Sequence, residues 1–142
     1  MYDIKIQSPF VAHPVPYPGC SSEKALSLYR EINWEDLYSQ IEATGSSPES
    51  PFYYFEIYRQ NHLGEKEMLC VSGGMWGRVG VEYRRPKMET RGFFKKKEVL
   101  NPEFSTQMDG MDTAFAFSCM EAFVKGNTGY LEQHLHDREE EQ

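Results

Sequence analysis

The spacing of hydrophobic and polar positions predicts helices on both sides of a block of strands. Ile4 and Ile6 alternate with polar neighbours, which indicates a short, half-exposed first strand. Four prolines fall between residues 9 and 20. Because proline is excluded from helix interiors and central strands, this Pro-rich segment is expected to lie extended on the surface.

Two apolar stripes with helical spacing follow the Pro-rich segment. The first comprises Ala25, Leu28, Tyr29 and Ile32, and the second Trp34, Leu37, Tyr38 and Ile41. At about 100° per residue the stripes face roughly opposite directions, so one straight helix would be apolar on both sides. Asn33 and Asp36 have the spacing of a capping pair, which favours a break near Asn33 and two short helices. Helical structure is expected to end at residues 45–48.

The central part of the chain predicts an antiparallel meander of four to five strands. Residues 52–59 are aromatic and β-favouring, and residues 67–72 return as an apolar partner. After a glycine-rich turn at 72–77, apolar and polar residues alternate up to Pro86, which is expected to stop that strand. Residues 89–95 offer a fourth strand with lysines at its end, as is typical of a sheet edge.

The last third of the chain predicts a connection, a helix and a tail. Residues 100–110 contain Asn-Pro and Asp-Gly pairs and are expected to form a long connection. Residues 113–124 form a largely apolar helix that should lie across the sheet and stop at Gly126-Asn127. Residues 136–142 are expected to be an acidic, frayed tail. The predicted fold is thus α+β, with helices before and after the sheet packing on it.

Length and composition agree with a single domain over residues 1–142. Of these 142 residues 39% are hydrophobic and 14% aromatic, which is enough for one core, and no internal repeat is visible. The chain has neither a signal-like start nor about 20 consecutive apolar residues, so a cytoplasmic protein without a membrane partner is expected. Three cysteines without C-x-x-C spacing favour a reducing compartment, and Cys20 is the one expected to be exposed.

The net charge of −7 is unevenly distributed. Residues 52–100 contain ten Lys/Arg against six Asp/Glu, whereas both flanking parts are acidic. Net acidity argues against a nucleic-acid partner and favours a basic one, although solubility alone also explains it. The basic run 84–97, which contains Phe93 and Phe94, is either a surface for phosphates and bases or a protected sheet edge.

No motif in the sequence is typical of catalysis. The glycines of residues 73–80 precede a strand rather than a helix, unlike those of a phosphate-binding loop. His134 and His136 are two positions apart and would diverge on a helix, and Cys119 lies in an apolar helix that keeps a thiol protonated. The sequence therefore predicts a protein that is not an enzyme, with no catalytic residues, no metal and no cofactor.

Trp76 lies in the glycine-rich turn, where a large side chain has little local core to join. Tryptophan is favoured at interaction hot spots, so an exposed partner contact is one interpretation. The other is that Trp76 folds back onto the sheet. The sequence leaves both open.

Several short motifs resemble those of one family. They are Asn33-Trp34-Glu35-Asp36-Leu37, the glycine-rich turn, Glu89-Thr90-Arg91-Gly92-Phe93-Phe94 and the run Met120–Tyr130. Over residues 33–135 the chain is similar to small bacterial immunity proteins, Imm1-like or of a related α+β group, that are encoded beside polymorphic toxins of bacterial competition. The resemblance implies a non-enzymatic protein that binds a cognate toxin domain and blocks its active site or its contact with the target.

Under this hypothesis acidic side chains of the helical layer and the turn tryptophan bind the partner. The candidate residues are Glu35, Asp36, Glu42, Trp76, Asp109 and Asp112. Such carboxylates suit a basic toxin, for example a nuclease. Two other classes stay open: an adaptor or chaperone-like domain with an exposed apolar patch, and a nucleic-acid or small-ligand module that uses residues 84–97. The sequence determines neither the toxin nor the oligomeric state.

Overall fold

The computed structural model describes residues 1–44 and 53–136 and has the α+β architecture expected from the sequence. In chain order the elements are β1 (Tyr2–Gln7), β2 (Val15–Cys20), α1 (Ser22–Arg30), α2 (Trp34–Thr44), β3 (Tyr54–Gln60), β4 (Lys66–Gly73), a single 3-10 turn (Met75–Gly77), β5 (Val79–Arg91), β6 (Lys97–Met111), α3 (Thr113–Val124) and α4 (Thr128–His134). Within the described ranges no helix is long and apolar enough to cross a membrane.

The strands form one antiparallel sheet in the order β2-β1-β3-β4-β5-β6. The predicted number of four to five strands is wrong, because the sheet has six. One strand that the sequence analysis missed is β2, which lies within the Pro-rich segment and contains Pro16 and Pro18. The edge position of β2 explains this, since only one side of the strand needs backbone partners and a proline without an N–H is tolerated there.

β5 and β6 are also much longer than predicted. Pro86 does not stop β5; it lies where the register shifts between Arg85 and Lys87, and such an irregularity accommodates a residue without an N–H. The predicted connection at 100–110 is instead part of β6, an edge strand that tolerates Pro102. The strand predicted at 89–95 comprises the end of β5 and the turn that follows it.

The last two strands extend beyond the rest of the sheet. β4 pairs with β5 only between Val79 and Arg84, whereas β5 and β6 stay paired as far as Arg91 and Lys97. Residues 85–100 thus form a two-stranded projection, called the arm below. At about 3.3 Å per residue the arm is roughly 20 Å long.

One face of the sheet is covered by helices and forms the core. The alternating strand residues that point into it are fully buried and include Ile4, Phe55, Ile57, Leu69, Val71, Val81 and Tyr83. The helix α3 lies over β4 and β5 as predicted, and its Phe123 packs edge-on against Tyr83 with ring centroids 6.4 Å apart. Full burial of each such side chain stabilises the fold by about 1.5–3 kcal/mol.

The predicted helix boundaries are confirmed where the chain is described. The break at Asn33 is present, and the Asn33 side chain accepts a hydrogen bond from the Asp36 backbone N–H (3.1 Å). Gly126 ends α3 in the left-handed region, with φ 74°. After it the chain forms α4 (Thr128–His134), a helix that the sequence analysis did not predict. Residues 45–48, Phe52 and 137–142, on which other predictions fall, lie outside the described residues.

A buried cation attaches α4 to the sheet. Arg85 is only 3% exposed, and its Nε and Nη2 donate to the two carboxylate oxygens of Glu132 at 2.9 and 3.0 Å. Its Nη1 donates to the Tyr83 carbonyl and to the Thr106 hydroxyl oxygen (3.1 and 2.7 Å). Because α4 has only seven residues, it is too short to be stable alone and depends on such contacts.

We expect Glu132→Gln to lower the free energy of unfolding by about 1–2 kcal/mol at pH 7, because it removes the countercharge of a buried guanidinium. Partial burial raises the pKa of Glu132, but Arg85 and Lys87 outweigh this and hold the pKa below its usual value. The carboxylate therefore stabilises the fold above its unfolded-state pKa of about 4.3, and this contribution is lost as the pH falls through the lower folded-state pKa.

Urea unfolding of both proteins between pH 7 and pH 3 measures this effect, and the difference between them should shrink at the acidic end. Glu121→Gln is the matched control, since Glu121 forms only a surface pair with Lys125; it should change stability by less than about 0.5 kcal/mol. Equal losses for the two variants would contradict the role given to Glu132.

Candidate functional site

One end of the sheet brings together residues that are far apart in the sequence. At this end β4 turns into β5, the first turn of α2 packs on that turn, and β6 finishes beside β5 with the pair Val79 and Met111. We call the surface formed by the first turn of α2 (residues 34–37), residues 74–78 and residues 107–112 the α2 end. Five of the six residues predicted to bind a partner lie at the α2 end. Trp76 is in the turn, Glu35 and Asp36 are at the start of α2, and Asp109 and Asp112 are at and just after the end of β6.

Trp76 is an exposed aromatic side chain of the α2 end. It is 76% exposed, so it does not fold back onto the sheet. Its backbone has φ 56° and ψ 35°, and it is the one non-glycine residue in the described ranges with a positive φ. A left-handed conformation costs a residue with a Cβ about 1–2 kcal/mol. The surrounding structure therefore holds Trp76 in a strained and exposed position.

Glycines permit the close packing that holds the turn. A Cβ atom on Gly77 would lie 2.6 Å from Cγ of Glu35, and one on Gly73 would lie 1.9 Å from the ring of Tyr53. The Gly74 backbone N–H also donates to the Arg78 carbonyl (2.8 Å). The glycine-rich segment is therefore a tight turn between two strands with a close backbone approach, as the sequence favoured over a phosphate-binding loop.

Carboxylates surround this turn. Glu35 and Asp36 are exposed in the first turn of α2, and the Asp109 carboxylate lies 2.8 Å from the position of a Cβ on Gly80. Asp112 caps α3 through the Phe115 N–H (2.7 Å) and follows directly on the last residue of β6.

The α2 end contains one basic side chain among its three segments, Arg78, whose Nη1 donates to the Gly110 carbonyl (3.0 Å). Glu42 is exposed on α2 seven residues after Glu35, which places it about 10 Å further along the helix. The structure thus gathers five of the predicted residues around one turn and leaves Glu42 at a distance.

A cavity of about 230 Å³ lies beside α2, and the sequence analysis did not find it. Its apolar lining includes Ile6, Ile32, Leu37 and the two tyrosines of residues 53–54, and two exposed carboxylates, Glu31 and Asp36, also line it. No Lys or Arg is among its lining residues. We call it the α2 cavity. Only the antiparallel pairing of β1 with β3 brings these segments together, so no local pattern predicts it.

The uncovered face of the sheet carries a thiol between two carboxylates. Glu56, Cys70 and Glu82 are directly paired neighbours on β3, β4 and β5. Burial, with a smaller effect of the two carboxylates, raises the pKa of Cys70 to about 12. This thiol is therefore protonated at neutral pH and is a poor nucleophile.

The other cysteines and the histidines also have structural surroundings. Burial raises the pKa of Cys119 to about 12, and Cys20, which was expected to be exposed, is only 7% exposed. The ring of His134 stacks on Tyr130 with centroids 4.1 Å apart. In the part of the chain that the structure describes, no group of three His, Cys, Asp or Glu side chains is arranged to hold a metal ion.

We expect Gly77→Ala to destabilise the protein by about 2–3 kcal/mol and to change the fluorescence of Trp76. The substitution combines a positive φ (73°) with a clash against Glu35. Gly64→Ala is the matched control, because Gly64 has φ 76° and no atom within 4 Å of the added Cβ; it should cost only about 1 kcal/mol. Urea unfolding of both variants gives the comparison. Equal losses would show that the contact between α2 and the turn is not tight.

Comparison of the chain with family models, with curated proteins and with solved structures gives no match. Its function is therefore inferred from its own residues and their geometry.

Proposed function

We propose that this chain is a non-enzymatic immunity protein that binds a basic domain of a cognate bacterial toxin through the α2 end and thereby blocks it. The observation that carries this proposal is Trp76, which is 76% exposed and has a strained backbone in a turn packed against α2. A strained, exposed tryptophan has no role in the core, whereas a rigid aromatic anchor suits a binding surface.

The charges around Trp76 support a basic partner. Glu35, Asp36, Asp109 and Asp112 accompany it, against the single Arg78. The whole chain carries a charge of −7. A carboxylate-rich surface attracts a basic domain over a distance and raises the association rate, while the tryptophan supplies short-range affinity. A nuclease that binds phosphates is itself basic, so occupation of its substrate cleft by this surface would inhibit it.

The proposal is tested first by a growth assay. The C-terminal domain of the large gene product encoded immediately upstream is expressed with and without this chain. We expect toxicity without the chain and growth with it. Toxicity that the chain does not relieve would count against this pairing, and the purified domain would then fail to bind in the direct measurements below.

We expect Trp76→Gly to weaken binding to the purified upstream domain by about 2 kcal/mol, or roughly 30-fold in Kd. The same substitution should leave the free energy of unfolding unchanged or raise it by up to about 1 kcal/mol, since it removes a strained, exposed side chain. Calorimetric titration and urea unfolding measure the two effects. A variant that binds normally would exclude Trp76 from the interface.

We expect the double substitution Glu35→Lys and Asp36→Lys to lower the association rate with the same domain about tenfold at low salt, and less at high salt, because it reverses the charge beside the anchor. Glu23→Lys with Glu103→Lys is the control. It makes the same change in net charge at exposed positions on α1 and β6. Stopped-flow binding at several salt concentrations measures the association rates of the two double variants. An equal decrease in rate for both would indicate a general charge effect.

A further inference from the structure

The tip of the arm exposes two aromatic side chains. Phe93 and Phe94 are each 96% exposed and contact each other edge to face, with ring centroids 5.6 Å apart. Gly92, with φ 122°, starts the tip turn, and a Cβ there would lie 2.1 Å from the Lys95 carbonyl oxygen. The turn therefore requires glycine and displays both rings at the convex end of the projection.

The arm is basic although the protein is acidic. Residues 85–100 contain six Lys/Arg against two Asp/Glu, and the rest of the chain contains nine Lys/Arg against twenty Asp/Glu. The arm's length of about 20 Å exceeds the Debye length of about 8 Å at physiological salt. The positive tip is thus largely screened from the negative body of its own chain.

The positive charges of the tip are incompletely compensated. Arg91 and Lys97 lie directly opposite each other on β5 and β6, and like charges in this arrangement are unfavourable. Glu89 pairs with Arg91 (2.7 Å). Lys95, Lys96 and Lys97 have no ion pair within residues 1–44 and 53–136. The tip therefore combines apolar rings with free positive charge and is complementary to an acidic site that has an apolar floor.

The charge distribution favours a second copy of this chain over a polyanion as the partner. A nucleic acid or an anionic membrane finds a basic segment only in the arm, since the rest of the chain is acidic. A second copy offers carboxylates to each arm, so two such contacts form at once and act against the repulsion between the two acidic bodies. It also contains the α2 cavity, which combines apolar side chains and the polar residues Gln7, Ser8 and Asn33 with the carboxylates of Glu31 and Asp36.

We propose that the arm of one copy inserts its Phe93–Phe94 tip into the α2 cavity of a second copy, with Lys95 and Lys96 facing Glu31 and Asp36. The cavity volume of about 230 Å³ exceeds the roughly 150 Å³ of an apolar cavity that binds benzene, so the volume is sufficient for one phenylalanine ring. Two copies make the contact reciprocally, which closes a twofold dimer. This goes beyond the proposed toxin binding and does not depend on it, because the chain alone suffices for the test.

The first experiment measures the mass of the purified chain by sedimentation velocity between 1 and 200 µM at 50 mM salt. We expect a dimer whose Kd rises at least tenfold when Phe93 and Phe94 are both changed to Ser. The control is Val11→Ser with Leu63→Ser, which removes two exposed apolar side chains elsewhere and should leave the dimer intact. A chain that is monomeric at 200 µM, or a dimer that both double variants weaken equally, would overturn the proposal.

A charge exchange tests the pairing itself. The variant Lys95→Glu with Lys96→Glu and the variant Glu31→Lys with Asp36→Lys should each be monomeric, since arm and cavity then carry like charges. Their equimolar mixture should form a one-to-one dimer, because both contacts are again between opposite charges. A mixture that stays monomeric would refute arm-in-cavity docking. The proposal would also be refuted if the wild-type chain is monomeric and binds phosphatidylserine vesicles or oligothymidine through the arm lysines.

Discussion

The buried guanidinium of Arg85 is the point at which β5 changes from a core strand into a projecting one. On the side of Tyr83 the strand lies between β4 and β6 under α3, and beyond Arg85 its only paired strand is β6. A charge that is 3% exposed is tolerated there because Glu132, Thr106 and a backbone carbonyl accept its hydrogen bonds. The same contacts help to hold α4 against the sheet, together with the fully buried Leu131, so Arg85 contributes both to the attachment of α4 and to the base of the arm.

At the opposite end of the sheet, close packing of the turn after β4 against α2 and β3 stabilises the structure, and no buried charge among the described residues is involved. Gly73 and Gly77 let the turn after β4 contact the Tyr53 ring and Glu35. These two side chains fill the space that a side chain at either glycine would need. The strain at Trp76 is a consequence of this tight arrangement, since its neighbours determine its backbone. A flexible turn would relax the strain, whereas this turn holds the Trp76 backbone in place, which lowers the entropic cost of ordering this residue on binding.

Side-chain spacing along the sequence correctly predicted helix boundaries, because interactions between residues close in sequence determine them. The helix break at Asn33 and the length of α3 follow from side-chain spacing and capping, and both are confirmed. The strands β2 and β6 were missed because prolines and Asp-Gly or Asn-Pro pairs, normally signs of a loop, are tolerated at the two edges of a sheet. Which strands are edges depends on pairing across the whole chain. For the same reason the α2 cavity was not predicted, whereas the exposed tryptophan and its carboxylates were named from residue type alone.

The two proposed interactions have a physical connection, because both use the α2 end. Asp36 lines the α2 cavity and also lies beside Glu35 in the helix turn that packs under Trp76. A dimer in which an arm tip fills the cavity would therefore cover part of the surface proposed for the toxin, and the two partners would compete. Linkage then requires that each lowers the apparent affinity of the other by the same factor. A dimer in which each copy covers its partner's acidic surface with a basic arm would release that surface only to a toxin domain that binds it more tightly than the arm does.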